Sequence, residues 1–195
     1  MIPVLILAAG KSARMQGADK LLQMAHGRPL LRHVTDTALE VATDVHVVLG
    51  PGQTARLAAL DGLPVTPFVT PDAAEGMSGT LRAGVAQLPD CPAFMLLLAD
   101  LPDLTAADLR AVLAARAANP DNLIWRGATR AGKPGHPIIF DASLRPDFGQ
   151  LSGDSGGETL VNPLQGRTHL TVIGDRARRD LDTPADWAAW RLAQQ

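Results

Sequence analysis

The sequence predicts an α/β fold, with an open, mostly parallel central sheet and helices on both of its faces, and three observations carry the prediction. Short apolar and β-branched runs recur at Val4–Leu7, Val45–Leu49 and Ala93–Leu98. Segments with helical spacing of apolar residues lie between them. The run Ala93–Leu98 is apolar at every position, as expected of a parallel strand covered on both faces. Such alternation gives a layered sheet whose ligands gather at the carboxyl ends of the strands.

Val4–Leu7 is the first strand, ended by the small residues Ala8-Ala9-Gly10. Leu30, Val34, Ala38 and Val41 share one stripe and predict a helix over 29–41, before a strand over Val45–Leu49 that Gly50-Pro51-Gly52 ends. A weaker helix is expected over Thr54–Leu60, a strand over Val65–Val69, and a helix over Ser78–Leu88 with Leu81, Val85 and Leu88 inward. After Ala93–Leu98, Thr105 and Asp108 form a capping box for a helix buried on Leu109, Val112 and Leu113 and stopped at Asn119-Pro120. Beyond Leu123–Trp125 the pattern falters at Gly127–Gly135. Ile138–Phe140 and Leu170–Ile173 are expected as strands around a helix near Glu158–Val161. Thr183 as N-cap, Pro184 at the first helical position and Asp186 at the third open the last helix, with Trp187 and Trp190 on its apolar side. No repeat, low-complexity tract or linker intervenes, so residues 1–195 are expected to form a single domain.

With 46% apolar and 19% charged residues in 195, the chain can bury a sizeable core and is not disordered. A net charge of −2 provides no global field for nucleic acid or an anionic membrane, so any polyanion must be held locally. Cys91 is the single cysteine, which excludes an internal disulfide. Met1–Gly10 lacks a basic leader, and no run approaches bilayer length. Cytoplasm is the expected location, without nucleic-acid or membrane partners.

The loop after the first strand holds Lys11, Arg14 and Lys20 together with Ser12 and Gly17. Peptide N–H groups and three cations there could surround a polyphosphate. No Walker or dinucleotide fingerprint follows the strand. Asp100 stands directly after a buried strand, where a carboxylate is costly unless paired. Mg²⁺ is a natural partner, although an aspartate also caps turns such as the one before Pro102. Asp180 and Asp182 precede the last helix, where acids are favoured for dipole reasons alone. Gly153-Asp154-Ser155-Gly156-Gly157 matches the nucleophile segment of chymotrypsin-like proteases, but the all-β, disulfide-bearing frame is missing. In Lys133-Pro134-Gly135-His136-Pro137 the imidazole either belongs to a structural turn or faces a substrate oxygen. The other histidines, His26, His33, His46 and His169, show no metal-ligand spacing.

Taken together, Leu7-Ala8-Ala9-Gly10, Ser12, Arg14-Met15, Gly17 and Lys20-Leu21-Leu22 resemble the signature of the nucleotidyltransferases that attach a nucleotide to the molybdenum cofactor. The cytidylyltransferases of that group are the most similar. The likeness continues through Gly76-Met77-Ser78, Leu98-Ala99-Asp100, Gly135-His136-Pro137, Gly153-Asp154 and Asp180-Leu181-Asp182-Thr183-Pro184. The resemblance implies a Rossmann-like three-layer fold of the nucleotide-diphospho-sugar transferase type, Mg²⁺, a nucleoside triphosphate and a molybdopterin-type acceptor. It implies that the opening loop, Leu7, Ala8, Ala9, Gly10 and Ser12 included, binds the triphosphate with Arg14 and Lys20 as charged contacts. Asp100 would be the chief metal ligand and Asp182 the second, with Asp180 a substitute. Ala9, where guanylyl-transferring relatives tend to carry Gly, points to CTP. Ser78 and Thr80 would approach base and ribose, and His136, Gly153 and Asp154 the pterin. A molybdenum enzyme or its maturation chaperone would be a partner.

Two positions depart from that pattern. Gly79-Thr80 stands where the family usually has Ser, and Gly156-Gly157-Glu158 where it commonly has Gly-Ala-Arg. The second exchange replaces a cation with an anion. It leaves open transfer to another phosphorylated acceptor, or a nonenzymatic carrier of the cofactor.

Overall fold

The computed structural model describes residues 1–153 and 156–194. After β1 (Val4–Leu7) come a small hairpin of β2 (Met24–Ala25) and β3 (Arg28–Pro29), then α1 (Leu30–Leu39), β4 (Val45–Leu49), α2 (Thr54–Ala59), β5 (Thr66–Val69) and α3 (Met77–Gln87). The second half holds β6 (Ala93–Leu98), α4 (Ala106–Ala118), β7 (Ile124–Ala128), β8 (Pro134–Asp141), the single-turn α5 (Arg145–Phe148) and α6 (Glu158–Val161), β9 (Thr168–Val172) and α7 (Pro184–Ala193). Seven strands make one sheet in the order β5-β4-β1-β6-β8-β7-β9. β8 runs antiparallel to both neighbours, and the remaining pairs are parallel.

Alternation along β1 sorts the core into two layers. Val4 and Ile6 pack under α1, α4 and α7 with Leu30, Val34, Leu109, Val112 and Trp187. Leu5 and Leu7 face α3, α5 and α6 through Leu81, Val85, Phe148 and Val161. This is the mixed α/β, three-layer architecture that the sequence predicts. Both capping boxes form: Thr105 and Asp108 exchange bonds at the start of α4, and Thr183 and Asp186 at the start of α7.

One expectation is corrected. Gly127–Gly135 is not an irregular stretch but the heart of a hairpin, because β7 continues to Ala128 and β8 begins at Pro134, earlier than Ile138. The glycines that read as breakers are required by close packing. A Cβ on Gly127 would lie 2.4 Å from the His136 carbonyl oxygen, and one on Gly135 would lie 2.3 Å from that of Ala177. Gly79, the first departure from the family pattern, has the same origin: its Cβ would lie 2.0 Å from the Asp72 carbonyl oxygen. Among the described residues, no helix is long and apolar enough to cross a membrane.

Candidate active site

The parallel register Leu7↔Leu98 places the ends of β1 and β6 side by side, so the opening loop and Asp100 share one edge of the sheet, as the strand rule requires. Between them lies a cleft of about 470 Å³ whose wall includes Leu7, Ala8, Ala9, Gly10 and Lys11, with Lys20, Thr80 and Asp100 around it. The loop is folded tightly. Ser12 and Gln16 adopt left-handed backbone conformations at φ 52° and 54°, which a non-glycine residue holds only under local constraint. Arg56 of α2 supplies that constraint. Its guanidinium is 2% exposed and reaches both oxygens of Asp19 at 2.7 and 2.8 Å, the Ala8 carbonyl at 2.5 Å and the Ser12 hydroxyl at 3.1 Å. The Ser12 hydroxyl also accepts from the Lys20 N–H at 3.1 Å and donates to Asp19 at 3.3 Å. Ser12 is thereby engaged in bracing the loop. Gln53 does similar work, accepting from the Gly50 N–H at 2.8 Å and donating to the Ala9 carbonyl at 2.9 Å.

At the mouth of the cleft four charges meet. The Lys20 ammonium donates to Asp100 Oδ2 at 2.5 Å and to Asp182 Oδ1 at 2.8 Å, and Arg14 pairs with the other oxygen of Asp182 at 2.6 Å. Asp182 reaches Asp100 because the Leu181 N–H donates to the Asp100 carbonyl at 3.2 Å and the Asp186 cap accepts from the Asp182 N–H at 3.2 Å. Burial works against charge on Lys20, but the Asp100 and Asp182 carboxylates outweigh it and hold its pKa above the ordinary value. Asp182 suffers the same burial, and its contacts with Lys20, Asp180 and Arg14 nevertheless bring it below the usual carboxylate range. Burial pushes Asp180 the other way, with the Asp182 and Asp100 charges adding to it. Asp182, which shares the Lys20 ammonium with Asp100, is the better placed of the two to join Asp100 at a metal.

Asp100 Oδ1 is buried and has no hydrogen-bond partner among the described residues. Buried polar atoms are normally satisfied, so this oxygen fits a ligand for a divalent cation. Two carboxylates are what Mg²⁺ commonly takes from a protein beside substrate phosphates. Lys20 stands between them, a cation holding two anions together.

A second cavity of about 640 Å³ adjoins the first across Leu7, Met77 and Leu98, and His136, Arg126 and Arg178 face it. His136 lines this space with Nδ1 unpartnered among the described residues. Burial, then the charges of Arg126 and Arg178, lower its pKa to about 4, so the imidazole is neutral near pH 7. Thr80 lines the first cleft. Ser78 does not; it is buried, and its hydroxyl donates to the Ser152 carbonyl at 3.3 Å. Gly153 is exposed at φ 67° and lines neither cavity, whereas Gly156 and Gly157 line the second. Asp154 and Ser155 lie outside the described residues.

Residues 4–170 match the MobA-like NTP transferase domain. The chain belongs to that family. Over 115 residues it is 40% identical to the "Bifunctional protein GlmU" of Halorhodospira halophila, 58% of this chain and 24% of that one; it thus spans about a quarter of the length of such curated relatives. The "Nicotine blue oxidoreductase" of Paenarthrobacter nicotinovorans is 27% identical over 184 residues, 91% of this chain and 90% of that one. The crystal structure of Rv0371c from Mycobacterium tuberculosis H37Rv superposes with a TM-score of 0.84 at 26% identity, covering 100% of this chain and 98% of that one. A manganese complex of the same protein gives 0.81 at 24%, with the same coverage. The fold is that of the nucleotide-diphospho-sugar transferases.

Arg56, Gln53, Arg126 and Arg178 are absent from the sequence-based site. Arg56 sits in a weakly patterned helix, and its only sequence signal is Asp19, an acid inside a basic loop. Arg126 interrupts an apolar strand, which is a usable signal for a functional cation.

Proposed function

We propose that the chain transfers a nucleoside monophosphate, CMP from CTP, to the phosphate of a molybdopterin-type acceptor and releases pyrophosphate. The observation that carries this reading is the cluster of Arg14, Lys20, Asp100 and Asp182 at the mouth of the first cleft, which Lys20 and Asp100 line. In-line attack of an ionised phosphate on the α-phosphate needs alignment and neutralisation of charge more than it needs a general base. The loop 8–12 lends backbone groups to the triphosphate, and Lys20 and Arg14 lend charge to it. A Mg²⁺ held by Asp100 and Asp182 would neutralise charge on the α-phosphate and on the departing pyrophosphate. Ala9 lines the cleft and supports the smaller base. The reading treats residues 1–195 as one nucleotidyltransferase domain of the cytoplasm serving a molybdenum enzyme.

CTP with Mg²⁺ is expected to raise the melting temperature more than GTP or ATP does, and Asp100→Ala to abolish pyrophosphate release while the melting transition survives. Equal shifts for all three nucleotides would overturn the choice of CTP. Binding of the cofactor without any pyrophosphate release would select the carrier instead. The full-length similarity to a protein named as an oxidoreductase favours one further reading, reduction of a ring compound at the second cavity. Oxidation of NADPH by the isolated protein with a heterocyclic dye, independent of nucleoside triphosphate, would select it.

A further inference from the structure

The second cavity has a built chemical polarity. Register across the sheet aligns Leu96 of β6 with Ile138 of β8, and Ile138 with Arg126 of β7, so the three project from the same face in one row. Neighbouring strands lie about 4.8 Å apart, which puts Arg126 roughly 10 Å across the sheet from β6. The floor between is apolar, made by Leu96, Ile138 and Phe140, with Leu81 and Val161 above it.

At the far end the backbone fixes two guanidinium groups. Arg126 Nε donates to the Gly135 carbonyl at 3.0 Å, and Arg178 donates to the adjacent Pro134 carbonyl at 3.2 Å. Arg178 arrives there on the turn 175–178, which Gly135 admits to within contact of β8. Neither guanidinium pairs with a carboxylate among the described residues, in a protein where Arg14, Arg56 and Arg82 all do. Burial and the charge of Arg178 depress the Arg126 pKa, and the Glu158 charge offsets them only in part, so an anion placed between the two would relieve a standing cost. Neutral His136 stands beside them with an unpartnered nitrogen.

We infer that the second cavity selects a flat, ring-bearing acceptor whose end opposite the reacting phosphate carries an acidic or acceptor-rich group held by Arg126 and Arg178. This rests on the transfer reading only for the direction of the acceptor. An apolar floor favours a ring system over a hydroxyl-covered sugar, whose groups would lose water without gaining partners there. Glu158 faces the same space and limits the charge that the far end accepts.

Binding of 2-naphthoate, 2-naphthalenemethanol and a hexose 1-phosphate to the full chain, followed by calorimetry, tests this. The naphthoate is expected to bind at least about tenfold more tightly than the alcohol and more tightly than the hexose phosphate. Arg126→Gln and Arg178→Gln should each remove the preference for the carboxylate, and Glu158→Gln should increase it. Arg178 is exposed, so its variant keeps the test valid if the Arg126 variant unfolds. Tighter binding of the hexose phosphate, or an unchanged preference in Arg178→Gln, would overturn the assignment. CTP thermal shifts on the same proteins separate the two ideas: their absence with the naphthoate pattern intact would remove the transfer reading and keep the cavity assignment.

Discussion

Lys20 occupies the point where two carboxylates would otherwise repel, so a metal bound there as proposed would compete with it for the same anions. Lys20→Met should therefore bind Mn²⁺ in the absence of nucleotide at least about tenfold more tightly than the parent, as read from the free-ion electron paramagnetic resonance signal. On the proposed reading pyrophosphate release should fall at least about 100-fold in the same variant, because the triphosphate would lose a contact. Unchanged Mn²⁺ affinity would mean that Lys20 and the metal do not share a position. Arg56 acts one layer deeper. Arg56→Met takes the guanidinium from Asp19, which keeps only its Ser12 and Leu21 donors, and from the Ala8 carbonyl, and a loss of about 3 kcal/mol is expected in urea unfolding, together with loss of CTP protection. A lysine cannot replace it, since it lacks the planar fork that serves Asp19, Ala8 and Ser12 at once. The basic loop and Asp100 were visible in the sequence because a cation cluster and a buried carboxylate are unusual locally. Arg56 was not, because its value comes from Asp19 and Ala8, thirty-seven and forty-eight residues away.

The helix starts connect stability to the site. Asp186 accepts from the N–H groups of Asp182 and Thr183 at 3.2 and 2.8 Å, so the cap of α7 also fixes the carboxylate at the mouth of the cleft. Thr183→Ala is expected to cost about 1 kcal/mol of stability and to weaken metal-dependent CTP binding, while Thr105→Ala costs a similar amount at α4 and leaves that binding intact. Thermal shifts with and without CTP distinguish the pair. Capping boxes and uniformly apolar strands were legible because their determinants are local: Thr105 with Asp108, Thr183 with Asp186, Ala93 to Leu98. The β7–β8 hairpin was not, since Gly127 and Gly135 are explained by the His136 and Ala177 carbonyls that approach them, and nothing in the adjacent residues announces such contacts. Gly79→Ala should be destabilising by about 1–3 kcal/mol for the same steric reason.

Across the whole molecule, pH dependence follows from the groups whose charge folding alters. Burial, with the Arg126 and Arg178 charges, lowers the His136 pKa from the ordinary 6.5 to about 4, so the unfolded chain binds its proton first as pH falls. That contribution to stability is complete above pH 6.5 and is lost toward about pH 4, with about 2 kcal/mol gone between pH 6.5 and 5. His136→Gln should flatten this limb of the urea midpoint against pH. Asp182, shifted down, contributes above its unfolded value and loses it only at lower pH; Lys20, shifted up, keeps its contribution until strongly alkaline pH. The alternation of elements made the layered sheet predictable, whereas the reversed direction of β8 was not written in any periodicity. That reversal brings the start of β8 and the end of β7 to the edge where the other strands finish. On the proposed reading, a change at the hairpin tip would reach the second cavity, which Pro134 and His136 line, and would leave β1 and its loop untouched.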